Sequence, residues 1–112
     1  MRYLFVGEKR SELAIKMGVT WLDGRLAAKQ LFDALKANGI NPLDHEFTNW
    51  FEYGNKGKVK SFDGIVVGMG NKVQSALTKA GIEHKPIYHP ATRGAIRKKE
   101  LYFAHIKERL SL

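Results

Sequence analysis

Apolar residues follow two rhythms along this chain. Residues 2–7 (RYLFVG) and 64–70 (GIVVGMG) are nearly continuous β-branched, aliphatic and aromatic runs closed by glycine, as expected of strands covered on both faces. Residues 21–38 (WLDGRLAAKQLFDALKAN) instead place Leu22, Leu26, Leu31 and Leu35, with Ala27, Ala28 and Ala34, at broadly helical intervals, and Gly39 follows as a stop. The same pattern predicts a helix over 71–81 (NKVQSALTKAG), a short one over 11–17 with Ser11 as its cap and Gly18 as its end, and a basic one over 95–110. Aromatic and β-branched residues in 46–53 (EFTNWFEY) predict a second strand, and 84–90 (HKPIYHP) a last short one. Residues 54–64 (GNKGKVKSFDG) are rich in glycine and lysine and predict a solvated, mobile loop between the two halves of the sheet.

Strands that alternate with helices need crossover connections, so this order predicts an α/β fold. The expected architecture is three layers, α/β/α, around a short, mainly parallel sheet of four strands. With 112 residues there is material for one core and one domain, covering 1–112. Parallel sheets of this kind bind ligands beyond the carboxyl ends of their strands.

Composition narrows the chemistry. The chain has no cysteine, which excludes disulfides, thiolate-held metals, iron–sulfur clusters and a thiol nucleophile. No metal, cofactor or metal cluster is therefore expected. The first ten residues hold too short an apolar run for a signal peptide, and no stretch reaches membrane-spanning length, so a soluble, cytoplasmic protein without a membrane partner is expected. Nineteen Lys and Arg against eleven Asp and Glu give a formal charge of +8, which favours a polyanionic partner and serves solubility equally well. The basic residues cluster at Lys56, Lys58 and Lys60, and at Arg93, Arg97, Lys98 and Lys99.

Polar groups stand where three strands end: Gly7 and Glu8 after the first, Asn49 within FTNWF, and His89 before Pro90 after the last. In a parallel sheet all three meet at one rim. Each also has a structural reading. Asn49 can end a strand through a turn, His89 can cap a loop, Glu8 can be a solvated charge, and Trp21 can be a core residue flanking a helix.

Taken in order with GMGNKVQSAL, these motifs resemble the uracil-DNA glycosylase superfamily. In that superfamily a first strand ends in a glycine-led motif, an Asn follows the second strand and His-Pro follows the fourth. The likeness runs over nearly the whole chain, and DGRLAAKQLFDALKANGI is similar to the helix after the first motif in the thermophilic, cluster-bearing branch. The resemblance implies a DNA partner, base flipping, and hydrolysis of the bond between an altered base and its sugar. It implies that Asn49, with Gly7, recognises the base, that Trp21 lies near the stacking aromatic, and that His89 donates a hydrogen bond to the departing base. Glu8 matches the branch's Gly-Glu motif and would position water. The segment ATRGAIRKK, with Arg93, Arg97, Lys98 and Lys99, resembles the loop that enters the DNA minor groove.

The chain also departs from that pattern. Lys9 and Arg10 stand where many members carry a water-handling Asp or Asn and then a proline, the family's aromatic register falls on Leu22, and the branch's four cluster-binding cysteines are missing. A lysine needs a strongly depressed pKa to act as a base at neutral pH. Two readings follow: a monofunctional uracil-DNA glycosylase, or a nucleic-acid-binding protein that has kept the fold and lost the chemistry.

Overall fold

The computed structural model describes residues 2–9, 12–18, 20–21, 27–52, 54–90 and 99–111. Four strands form its centre: β1 (Tyr3–Gly7), β2 (Glu46–Asn49), β3 (Ile65–Met69) and β4 (Lys85–Ile87), in the order β2-β1-β3-β4. Every neighbouring pair is parallel. The five helices among the described residues are α1 (Glu12–Met17), α2 (Ala27–Ala37), α3 (Lys56–Lys60), α4 (Asn71–Lys79) and α5 (Lys99–Arg109).

The two-residue period of β1 explains the layering. Tyr3 and Phe5 join Val67, Met69 and Ile87 on one face, against Leu31, Ala34 and Leu35 of α2 and Tyr102 and Ile106 of α5. Leu4 and Val6 join Val66 on the other, against Val59 of α3 and Val73 and Leu77 of α4. Helices thus cover both faces, which is why β1 is buried at every position. Burying one such aliphatic or aromatic side chain contributes about 1.5–3 kcal/mol, and two clusters of them hold the layers. Across the first face, the Asn38 amide donates to Ala34 O at 2.9 Å and to Phe103 O at 3.1 Å, tying α2 to the chain of α5.

Helices α2 and α4 stop in the same way. Ile40 N donates to Leu35 O and Gly39 N to Lys36 O, while Ile82 N donates to Leu77 O and Gly81 N to Thr78 O. Gly39 and Gly81 have φ of +79° and +72°, the left-handed backbone that this closing motif requires and that glycine adopts without strain.

The structure corrects two expectations. The strand expected over 46–53 ends at Asn49, because the chain turns at Trp50 and Phe51. The stretch expected to be a mobile loop contains α3, whose Val59 is 1% exposed and seals the second cluster. The helix expected over 21–38 is described over Ala27–Ala37, and residues 22–26, like Ser11 and 91–98, lie outside the described residues. No helix among the described residues is long and apolar enough to cross a membrane.

Candidate functional site

Because all four strands run the same way, their carboxyl ends share one rim. Gly7 of β1 is directly opposite Asn49 of β2. Beyond that pair the chain after β2 stays bonded to β1, with Trp50 N donating to Gly7 O at 2.8 Å and Phe51 N to Glu8 O at 2.9 Å. On the other side Gly70 N donates to Ile87 O at 2.9 Å. The Gln74 amide reaches Gly68 O at 3.0 Å and Ile87 O at 2.9 Å, clasping the ends of β3 and β4. The rim is therefore a fixed frame of main chain on which side chains are mounted.

Asn49 ends the edge strand β2 and is 5% exposed. The indole N–H of Trp21 donates to its Oδ1 at 3.0 Å, and its Nδ2 donates to Glu52 Oε2 at 2.9 Å. Its main-chain oxygen accepts from Asn55 Nδ2 at 3.0 Å, which secures the turn that follows. An amide has two lone pairs and two N–H groups, so one of each remains outside these two side-chain bonds.

Gly7 makes this arrangement possible. A Cβ built there would stand 2.7 Å from Asn49 Oδ1 and 2.9 Å from Trp21 Cζ2, closer than a Cβ atom approaches another heavy atom. The absence of a side chain on Gly7 is what lets Trp21 and Asn49 meet above the sheet. Trp21 packs nearly parallel to Phe47, with ring centroids 6.2 Å apart, and its ring lies 6.1 Å from that of His89 at 57°. Trp21 is thus packed against the core and bonded to Asn49 at the rim.

His89 follows β4 and sits beside Trp21. Burial lowers its pKa, and the nearby negative charge of Glu8 opposes that shift without cancelling it. Its imidazole is accordingly neutral at pH 7, with one ring nitrogen protonated. Glu8 itself accepts from Lys72 Nζ at 3.0 Å, an ion pair joining the end of β1 to the first turn of α4. The Lys72 ammonium also lies 5.3 Å from the centre of the exposed Phe51 ring. Lys9 is exposed.

Gly7, Trp21 and Asn49 are thus in contact, with His89 beside Trp21 and Glu8 near His89; Gly7, Glu8, Asn49 and His89 come from strand ends, whereas Trp21 does not. Of the basic set, Arg93, Arg97 and Lys98 lie outside the described residues, and Lys99 opens α5. Sequence reasoning passed over Glu52, Lys72 and Phe51. Their signal was positional: Glu52 is three residues beyond a strand-ending Asn, where a turn folds it back, and Lys72 is the second residue of a helix that starts at the rim. Among the described residues no group of three or more His, Asp or Glu side chains is arranged to hold a metal ion. Comparison with protein-family models, with curated proteins and with solved structures gave no match.

Proposed function

We propose that the chain is a uracil-DNA glycosylase-like protein, which hydrolyses the N-glycosidic bond of uracil or a related altered base in DNA and leaves an abasic site. The observation that carries this reading is the meeting of Gly7, Trp21, Asn49 and His89 at one strand-end rim, with the Asn49 amide oriented by its neighbours.

In this reading the free lone pair of Asn49 Oδ1 accepts from N3–H of uracil and the free N–H of Nδ2 donates to O4. Cytosine presents an acceptor at N3 and a donor at N4, so it would leave two buried polar groups opposed by their own kind. When the C1′–N1 bond breaks, its electron pair passes to the base and charge collects on O2. His89, neutral through burial, donates a hydrogen bond there, where a preorganised donor in a dry site is worth about 3–4 kcal/mol. Water supplies hydroxide to C1′ and a proton to the base, and the Glu8 carboxylate, anchored by Lys72, is the group at the rim able to orient it. The +8 charge of the chain favours encounter with DNA phosphates.

A second reading is favoured by the Glu8–Lys72 pair, which occupies the carboxylate, and by Lys9 in place of a water-handling side chain. It keeps base and DNA binding without hydrolysis. A labelled oligonucleotide carrying one uracil, single- or double-stranded, separates the two when treated with alkali after incubation. The first reading expects strand scission at the uracil, slowed about 10²–10³-fold in His89→Ala. Binding without scission would establish the second reading in its place, and neither binding nor scission would remove both.

A further inference from the structure

An asparagine amide can turn over about its last torsion, exchanging oxygen for nitrogen with almost no change in shape. In that flipped state Asn49 would offer cytosine what it offers uracil now. Its two neighbours forbid the exchange, for each has a fixed character. The Trp21 indole is a donor only, and the Glu52 carboxylate is an acceptor. A flip would set N–H against N–H at one end and oxygen against oxygen at the other, in a place 5% exposed where water cannot repair the loss.

We propose that Glu52 is a positioning residue that locks the Asn49 amide with its carbonyl oxygen toward Trp21, and so sets selectivity for a base edge presenting N–H beside C=O. This deepens the glycosylase-like reading and rests on it for the identity of the base, whereas the lock itself rests only on the observed bonds. Local structure delivers Glu52 to its place. After Asn49 the next two main-chain N–H groups remain bonded to β1, so the chain folds back within three residues. Asn55 closes the same turn through Asn49 O. Glu52 is partly buried, and it acts through Asn49 without being required to touch a base.

The test uses Glu52→Gln, which keeps the shape of the side chain but can donate as readily as accept, so the flipped amide is no longer opposed at that end. Two quantities are measured on the whole chain: the side-chain ¹⁵N–¹H signals of Asn49, and affinity for free uracil and free cytosine. The expected result is an upfield move of the Asn49 amide proton that faced the carboxylate, with the preference for uracil falling on the order of tenfold. Glu52→Asp keeps the acceptor on a shorter stem and is expected to recover part of both; it also serves if the Gln variant does not fold. An unmoved Asn49 signal would overturn the lock, and a moved signal with unchanged preference would overturn the role in selectivity. If the wild type binds neither base while Glu52→Gln still moves the Asn49 signal, the glycosylase-like reading falls together with the selectivity, and the lock stands. If the wild type prefers uracil and Glu52→Gln alters nothing, the reading stands and the proposal for Glu52 falls.

Discussion

Gly7→Ala adds a single methyl group at the point where the rim is most crowded. The new Cβ would meet Asn49 Oδ1 at 2.7 Å, Trp21 Cζ2 at 2.9 Å and Met69 Cε at 3.6 Å. Met69 is in ordinary contact, but the first two distances require movement. The backbone cannot supply it, because β1 is paired on both sides, by β2 and by β3. The side chains must yield, and moving Trp21 or Asn49 breaks the bond between them. Overpacking of this kind costs about 1–3 kcal/mol, and a buried amide left without its donor adds about 1 kcal/mol, giving about 2–4 kcal/mol together. For a domain of this length that is a fall in Tm of roughly 8–16 °C. Urea melts followed by tryptophan fluorescence measure it, with Gly57→Ala as the control. A Cβ at Gly57 meets nothing within 4 Å and the residue lies in α3, so alanine there is expected to stabilise by about 0.5–1 kcal/mol. Two glycine-to-alanine changes of opposite sign would locate the crowding at the rim. A Gly7→Ala protein within about 0.5 kcal/mol of wild type, below even the least cost of overpacking, would refute it.

Three further outcomes are expected, the last of them from the proposed function. Val59→Ala is expected to cost about 2 kcal/mol through lost burial and the cavity left, measured by the same melts, whereas a solvated loop at 54–64 would make it neutral. Burial lowers the pKa of His89, so between its ordinary value of 6.5 and its lower folded value the unfolded chain binds more protons and stability is lost as pH falls. Melts from pH 7.5 to 5 should show that loss, by at most about 1.4 kcal/mol per pH unit for this residue, and His89→Gln should remove its share while leaving that of His45 and His105, whose pKa values burial also lowers. Affinity for DNA is expected to fall with salt, with a slope near −3 in log–log form if Arg93, Arg97, Lys98 and Lys99 each meet a phosphate at −0.7 to −0.9 apiece, and replacing all four should remove most of it.

What could be read from the chain beforehand tracks how strongly each signal is local. Strands β1 and β3 are continuous apolar runs ended by glycine, and α2 and α4 carry helical spacing with a glycine placed for the closing motif, so local pattern and tertiary structure agree. Strand β2 was extended too far because Trp50 and Phe51 have strand-like side chains and stay bonded to β1, yet the turn that brings Glu52 to Asn49 takes them out of the ladder. Helix α3 was missed because five residues with two of its flanking positions glycine and asparagine carry no period. It is held by long-range contacts, chiefly the burial of Val59, with Lys58 paired to Glu46 and Lys56 over the Trp50 ring. At the rim, parallel order alone was enough to bring Gly7, Asn49 and His89 together. The bond from Trp21 to Asn49 had no sequence signature, since it joins side chains across elements, where no propensity operates, and the bond between Asn49 and Glu52 left only a positional one, three residues beyond a strand-ending Asn.

The central claim is that this rim holds a base by its edge. Titrating the ¹⁵N-labelled protein with free uracil tests it without requiring catalysis. If the rim holds a base, saturable shifts are expected at the main-chain signals of Gly7, Asn49 and His89 and at the Asn49 and Trp21 side-chain N–H signals, together with much smaller shifts for cytosine. Shifts that are absent at millimolar uracil, or that are the same for the two bases, would contradict it.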